Sequence, residues 1–180
     1  MDAARVAAGC AEALATFGPG THEVVEAANF NDPAQTVIAG TKAAVDKACE
    51  LLKAAGAKRA LLLPVSAPFH SSLMKPAAEK LRLALADVVF ASPRIPVLNN
   101  VDVAVQQEAD AIRDALYRQA FGPVRWVECV HALKARGVTH VVECGPGKVL
   151  AGLTKRIDPD LTGLALFDTA TLAETQGLLA

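Results

Sequence analysis

The chain of 180 residues is 52% hydrophobic and 21% charged, and its formal net charge is −1. Such a composition is typical of a soluble globular protein that buries a sizeable core. One Trp, one Tyr and six Phe argue against nucleic acid as a partner, because nucleic-acid binding needs aromatic and basic clusters. The amino terminus lacks the pattern of a signal peptide, and no apolar run reaches the roughly 18 residues of a membrane span. We therefore expect a cytoplasmic protein without a membrane partner.

Four cysteines are spread along the chain without a C-x-x-C pair, at Cys10, Cys49, Cys129 and Cys144. Their apolar or helical surroundings predict neither a zinc site nor a disulfide framework. We expect free thiols, as in a reducing compartment, and no metal.

Residues 1–63 predict the order helix, strand, strand, helix, strand. The predicted elements are a helix at 2–16, strands at 24–28 and 36–39, a helix from Thr41 to residue 55, and a strand at 59–63. This is the order of a ferredoxin-like βαββαβ unit without its first strand, so the chain is expected to begin inside such a unit. A four-element α+β layer of its own is the alternative.

Residues 64–180 alternate strands and helices, which predicts a mostly parallel α/β layer. The predicted elements are a helix from Ser71 or Ser72 to 87, a strand at 93–97, a helix at 108–120, a helix from Pro123 to Gly137, strands at 138–143 and 161–167, and helices at 148–157 and 171–179.

An apolar run ends at Pro64 and Pro68 and places His70 in a loop before a helix. Loops at the carboxyl edge of an α/β sheet are where such folds expose functional groups. Imidazole is a suitable base near neutral pH, which makes His70 the candidate catalytic residue. The remaining histidines are expected to be solvated or packed, at His22, His131 and His140.

A histidine base needs a nucleophile. None of the four serines, Ser66, Ser71, Ser72 and Ser92, stands in a Gly-x-Ser-x-Gly elbow. Cys144, at the end of a predicted strand, is the best internal alternative. The following Gly145-Pro-Gly-Lys148 segment is not a Walker A loop, because Val142 and Val149 occupy the required Gly and Ser/Thr positions, and it predicts a tight strand-to-helix turn.

Five motifs occur in unbroken order along nearly the whole chain. They are Asn29-Phe-Asn-Asp-Pro33, Pro64-Val-Ser-Ala-Pro-Phe-His70, Pro96-Val-Leu-Asn-Asn-Val101, Arg118-Gln119 with Pro123-Val-Arg-Trp126, and Glu143-Cys-Gly-Pro-Gly-Lys148. Together they resemble the C-terminal three fifths of malonyl-CoA:acyl-carrier-protein transacylase. The resemblance implies transfer of malonyl from coenzyme A, through a serine ester, to the phosphopantetheine thiol of acyl carrier protein in fatty acid biosynthesis, with no cofactor of its own.

The fold class that the resemblance implies is α/β, with an incomplete ferredoxin-like subdomain at 1–63. The C-terminal part of an α/β-hydrolase-like acyltransferase subdomain follows at 64–180. His70 then matches the family's base, and Gln119 matches the residue whose backbone carbonyl holds the ring of that base.

The resemblance also assigns five residues to binding. Phe69 matches a position that favours malonyl over bulkier groups, Asn29 and Asn31 border the substrate cleft, and Lys58 with Arg59 matches a basic pair that docks the acidic carrier protein.

The family's Gly-His-Ser-x-Gly elbow, its malonyl-binding arginine and its glutamine-rich oxyanion segment all precede the point where this chain begins. We therefore expect a truncated or mis-started form, aggregation-prone and inactive alone. Two alternatives stay open: a non-catalytic module that binds acyl carrier protein through Lys58 and Arg59, and a different hydrolase or transferase that uses Cys144 with His70.

Overall fold

The computed structural model describes residues 1–179 and has a mixed α/β fold, as expected. Its helices are α1 (Ala3–Ala15), α2 (Lys42–Ala54), α3 (Lys75–Ala86), α4 (Ala109–Gln119), α5 (Trp126–Ala135), α6 (Val149–Ile157) and α7 (Thr169–Leu179), and its strands are β1 (Val25–Asp32), β2 (Gln35–Gly40), β3 (His140–Cys144) and β4 (Thr162–Leu166). The chain forms two compact units, one of Met1–Trp126 and one that begins at Val127. The division into subdomains at residue 63 stays a prediction.

The core of the first unit lies between two helices, α1 and α2, and the antiparallel hairpin β1–β2. Its buried members are Val6, Cys10, Ala13, Val25, Ala44, Ala48 and Leu52. In α1 the buried positions recur at helical spacing, and the Asp2 carboxylate caps the helix by accepting the backbone N–H of Arg5 at 2.9 Å. The predicted order helix, strand, strand, helix is therefore confirmed for this part of the chain.

Two predicted strands, at 59–63 and 93–97, are wrong. Both segments are irregular, and the side chains of Leu61 and Ile95 are 74% and 77% exposed. A strand is stable only when its N–H and C=O groups pair with a neighbouring backbone. Neither segment forms such a ladder with the residues that the structure describes.

The helices around these segments agree with the sequence pattern, with one exception. A 3-10 helix at Ser72–Met74 leads into α3, whose first turn contains Pro76. Helix α4 lies where it was predicted, but α5 begins at Trp126 and not at Pro123. The reason is that Val124 pairs with β1.

The second unit contains the expected parallel strands, with His140 opposite Thr162 in the register of β3 and β4. The predicted strand-to-helix turn after β3 is confirmed. There the carboxylate of Glu143 accepts the backbone N–H of Ala151 at 2.9 Å. The first turn of α6 is thus capped by a side chain of the same unit.

Among residues 1–179, no helix combines the length and the apolarity needed to cross a bilayer. The same residues contain no group of three His, Cys, Asp or Glu side chains that could hold a metal ion. Within the same residues, none of the four cysteines forms a disulfide; Cys10 and Cys129 are buried, whereas Cys144 is exposed.

Candidate active site around His70

His70 adopts a left-handed backbone conformation, with φ of +62°. A residue other than glycine rarely takes this conformation, and such residues concentrate at functional sites. The hydroxyl of the buried Ser71 donates to the carbonyl oxygen of Pro68 at 2.7 Å and closes the turn that contains His70. The turn therefore presents the imidazole in a fixed direction.

Two backbone carbonyl groups face one nitrogen of the imidazole. The Nδ1 atom of His70 lies 3.0 Å from the carbonyl oxygen of Gln119 and 3.2 Å from that of Gly122. Carbonyl oxygens only accept hydrogen bonds, so the neutral ring carries its proton on Nδ1. The Nε2 atom then keeps its lone pair, which is the arrangement required of a base.

Both carbonyl groups belong to the segment that ends α4. Gln119 is the last residue of the helix, where backbone carbonyls have no partner within the helix. A Cβ atom at Gly122 would lie 2.8 Å from the carbonyl oxygen of Arg118 and 2.8 Å from the side chain of Val101. Only glycine fits there, which explains how the chain turns tightly enough to direct a second carbonyl at His70.

An ion-pair network holds the end of α4. The Arg118 guanidinium donates to both carboxylate oxygens of Asp102, at 2.5 and 2.9 Å, and to Asp114 at 2.6 Å. The hydrogen bond from Arg118 lowers the pKa of Asp102, and Asp102 in turn raises the pKa of Arg118. Asn99 accepts the backbone N–H of Asp102 at 2.7 Å, so the 99–102 loop is anchored to the same network.

Strand β1 contacts both segments that surround His70. The backbone N–H of Val124 donates to the carbonyl oxygen of Ala28 at 2.8 Å, and the N–H of Phe30 donates to Val124 at 2.9 Å. The carboxylate of Glu26 accepts the N–H of Ser72 at 2.7 Å. The role of Glu26 was not predicted, although an acidic residue between Val25 and Ala27 of a strand indicates a polar role on the face opposite to the core.

The structure brings together His70 and Gln119 but distributes the other predicted site residues. Phe69 is next to His70 and half exposed, and Asn29 lies in β1 at its bridge to Val124. Asn31, near the end of β1, is half-buried. The basic pair is exposed in the irregular segment after α2, at Lys58 and Arg59.

Cys144 ends β3 in the second unit and is exposed. Its Sγ atom lies 3.9 Å from the carbonyl oxygen of Val142, a weak contact. Nothing in this geometry activates the thiol, because no cation or base is hydrogen-bonded to it within the described residues.

Residues 3–157 match the sequence model of the acyl transferase domain family. The chain belongs to this family. It is 52% identical over 173 residues to the malonyl CoA-acyl carrier protein transacylase of Escherichia coli strain K12, covering 96% of this chain and 54% of that protein. The resemblance that rests on the five motifs is thereby confirmed.

Solved structures give the same result. The acyl-carrier-protein S-malonyltransferase of Burkholderia pseudomallei 1710b is 63% identical, with a TM-score of 0.93, and the match covers 98% of this chain and 56% of that one. A malonyl-transacylase in complex with its type II polyketide acyl-carrier protein is 47% identical, with a TM-score of 0.93, covering 99% and 56%. The chain spans about half the length of the relatives it matches.

Proposed function

We propose that this chain supplies the general base and part of the substrate cleft of a malonyl-CoA:acyl-carrier-protein transacylase. The observation that carries the proposal is the imidazole of His70, whose Nδ1 atom faces the carbonyls of Gln119 and Gly122. The proposed setting is fatty acid biosynthesis in the cytoplasm, with malonyl-CoA and acyl carrier protein as the substrates and no cofactor.

His70 moves one proton in each half of the proposed reaction. Its Nε2 atom takes the proton of a serine hydroxyl while the serine oxygen attacks the thioester carbonyl of malonyl-CoA. The imidazolium then returns that proton to the departing coenzyme A thiolate, leaving a malonyl-serine ester. In the second half, Nε2 takes the proton of the phosphopantetheine thiol while its sulfur attacks the ester carbonyl. The imidazolium then delivers that proton to the departing serine oxygen, which leaves malonyl on the sulfur as a thioester.

No serine of this chain stands in an elbow motif, so the proposed nucleophile is a serine outside the 180 residues. The carbonyls of Gln119 and Gly122 take the place of a triad aspartate, because they fix the tautomer and the direction of the ring.

In the proposed cleft, Asn29 and Asn31 contact the substrate and Phe69 disfavours groups bulkier than malonyl. Residues 1–63 are the ferredoxin-like subdomain and 64–180 the C-terminal part of the hydrolase-like one.

A chimera tests the proposal. The residues of the Escherichia coli relative that precede its aligned segment would be joined to Met1 of this chain, and malonyl transfer from malonyl-CoA to holo acyl carrier protein would be measured. We expect transfer by the chimera, none by the 180-residue chain alone, and a decrease of about 10²–10⁴-fold in turnover for His70→Ala. His131→Ala, a histidine of the second unit, is the control and should leave turnover unchanged.

A folded chimera that transfers no malonyl, or one whose activity survives His70→Ala, would overturn the proposal. The chain alone would also be incubated with malonyl-CoA and its intact mass measured. A covalent malonyl adduct that is absent in Cys144→Ser would favour the alternative, a hydrolase or transferase that uses Cys144 with His70.

Binding of acyl carrier protein without catalysis is the second candidate function, because Lys58 and Arg59 are both exposed. An acidic partner bound there should dissociate more readily as the salt concentration rises. We expect the double substitution Lys58→Ala with Arg59→Ala to weaken binding to acyl carrier protein and to flatten its salt dependence. The matched control is the other exposed basic pair, Lys155 with Arg156, whose substitution should change neither quantity.

A further inference from the structure

Glu26 connects the β1–β2 hairpin to the turn that contains His70. In β1 the side chain of Val25 packs into the core with α1 and α2, and successive side chains of a strand point to opposite faces. Glu26 therefore points away from that core, and its carboxylate accepts the backbone N–H of Ser72 at 2.7 Å. Ser72 is two residues from His70 and begins the 3-10 helix, so its N–H has no partner earlier in that helix.

The turn at His70 needs such a restraint. A left-handed conformation is unfavourable for a non-glycine residue and persists only when its surroundings enforce it. The bond from Ser71 to Pro68 closes the turn on itself, whereas the bond from Ser72 to Glu26 fixes the turn to another element. A hydrogen bond to a carboxylate is roughly twice as strong as one between neutral groups.

The same strand also holds the other side of the imidazole. Ala28 and Phe30 pair with Val124, two residues after the Gly122 carbonyl that faces Nδ1. A bulge in β1 between Ala27 and Asn29 leaves Ala28 unpaired with β2, which frees its carbonyl for Val124. One strand thus sets the distance between the turn that carries the ring and the segment that carries its acceptors.

We propose that Glu26 is a positioning residue for His70. Its carboxylate holds the Ser72 amide so that the imidazole Nδ1 stays on the carbonyls of Gln119 and Gly122 and Nε2 stays free. The inference rests on the proposed function of His70 as the base. It adds a dependence of that base on the hairpin, which is the element that also carries Asn29 and Asn31.

Nuclear magnetic resonance of the 180-residue chain tests this without any substrate. Long-range ¹H–¹⁵N spectra report the imidazole tautomer, with the His70 signals identified by their loss in His70→Asn, and amide exchange reports the Ser72 bond. We expect Glu26→Ala to raise exchange at Ser72 by about tenfold or more and to move His70 toward the tautomer protonated on Nε2. Glu26→Gln, which keeps an acceptor oxygen, should retain part of the protection and of the tautomer.

Asp32→Ala is the matched control. The Asp32 carboxylate accepts the backbone N–H of Ala34 at 2.8 Å in the turn of the same hairpin, a bond of the same kind away from Ser72. It should leave Ser72 exchange and the His70 tautomer unchanged. An unchanged His70 tautomer in Glu26→Ala, or equal effects of Glu26→Ala and Asp32→Ala, would overturn the proposal. If Glu26→Ala fails to fold, the Ser72 exchange rate and the His70 tautomer of Glu26→Gln decide.

In the chimera, Glu26→Ala should lower kcat for malonyl transfer by about ten- to a hundredfold and leave KM for malonyl-CoA unchanged, because the base is displaced while substrate contacts remain. Glu26→Gln, which keeps an acceptor oxygen, should recover part of that loss. A raised KM with unchanged kcat would contradict a positioning role. An inactive chimera with Glu26 intact would count against the proposed function alone, since the tautomer measurement does not depend on malonyl transfer.

Discussion

Residues 1–57 and residues 58–97 contain similar apolar side chains but bury them to very different extents. Leu52 is 6% exposed in the first region, whereas Leu62 is 65% exposed and Val89 94% exposed in the second. The difference is that α1, α2 and the hairpin face one another, whereas in the second region α3 packs against α4, and the segments at 59–63 and 93–97 form no strand ladder among the described residues. Apolar content alone does not produce burial.

His70 lies in the poorly buried region, yet its surroundings are well defined. Hydrogen bonds to the carbonyls of Gln119 and Gly122, and from Ser72 to Glu26, position the turn. One region of this chain is therefore held by packing, and the candidate site is held mainly by polar contacts between backbone and side chain.

The largest expected effect is a difference between two leucine truncations. Leu52→Ala should lower the free energy of unfolding by about 2–5 kcal/mol, because it removes buried methyl groups and leaves a cavity. Leu62→Ala should change it by no more than about 0.5 kcal/mol, as is usual for exposed positions. Urea unfolding followed by circular dichroism measures both, and equal losses would show that the two regions are packed alike.

Thiol reactivity gives the next contrast. Burial, followed by the neighbouring Cys49 and Glu26, raises the pKa of the Cys10 thiol to about 11. A cysteine at the exposed position 62, introduced as Leu62→Cys in a Cys144→Ser background, should have a pKa near 8.5. At pH 8 the thiolate fractions then differ by about two hundredfold. Mass spectrometry of iodoacetamide-treated protein should show the thiol at position 62 modified long before that of Cys10. Comparable alkylation rates would contradict the burial of Cys10 in α1.

These two regions also explain how much of the structure the sequence predicts. Elements whose partners are close in sequence, such as α1, the hairpin and α2, follow from spacing and turn residues. The 59–63 and 93–97 segments have strand-like residues, but pairing depends on a distant backbone that spacing does not reveal. The place of His70 after an apolar run predicts its role as a base. Its left-handed φ and the second carbonyl that faces its Nδ1 atom, that of Gly122, depend on tertiary structure.

Weakening the polar supports of His70 should have an intermediate effect. Asp102→Asn replaces a carboxylate that accepts two bonds from Arg118, and we expect it to cost about 1–2 kcal/mol of unfolding free energy. The control is Asp110→Asn, because Asp110 is 97% exposed and pairs with Arg113 at the surface. That variant should cost less than about 0.5 kcal/mol. Equal costs in urea unfolding would mean that the Arg118 network does not stabilise the end of α4.

The smallest effect is a pH dependence of that same contribution. The hydrogen bond from Arg118 holds the pKa of Asp102 below its ordinary value of 3.8. A depressed carboxylate pKa stabilises the fold above the ordinary value, and this stabilisation is lost as the pH falls through the lower value of the folded state. The difference in unfolding free energy between the wild type and Asp102→Asn should therefore be constant from pH 7 to about 5 and shrink below about 4. A difference that grows on acidification would contradict the ion pair.

The left-handed backbone at His70 also determines which substitutions the site tolerates. At φ of +62° the backbone favours glycine, which lacks the crowded Cβ, and asparagine, whose short amide can hydrogen-bond to the nearby backbone. The chain thus places imidazole where its backbone favours other residues. An asparagine at this position would remove the proposed base while relieving the backbone of the turn. The backbone and the chemistry therefore favour different residues at one position, as expected where function and folding compete.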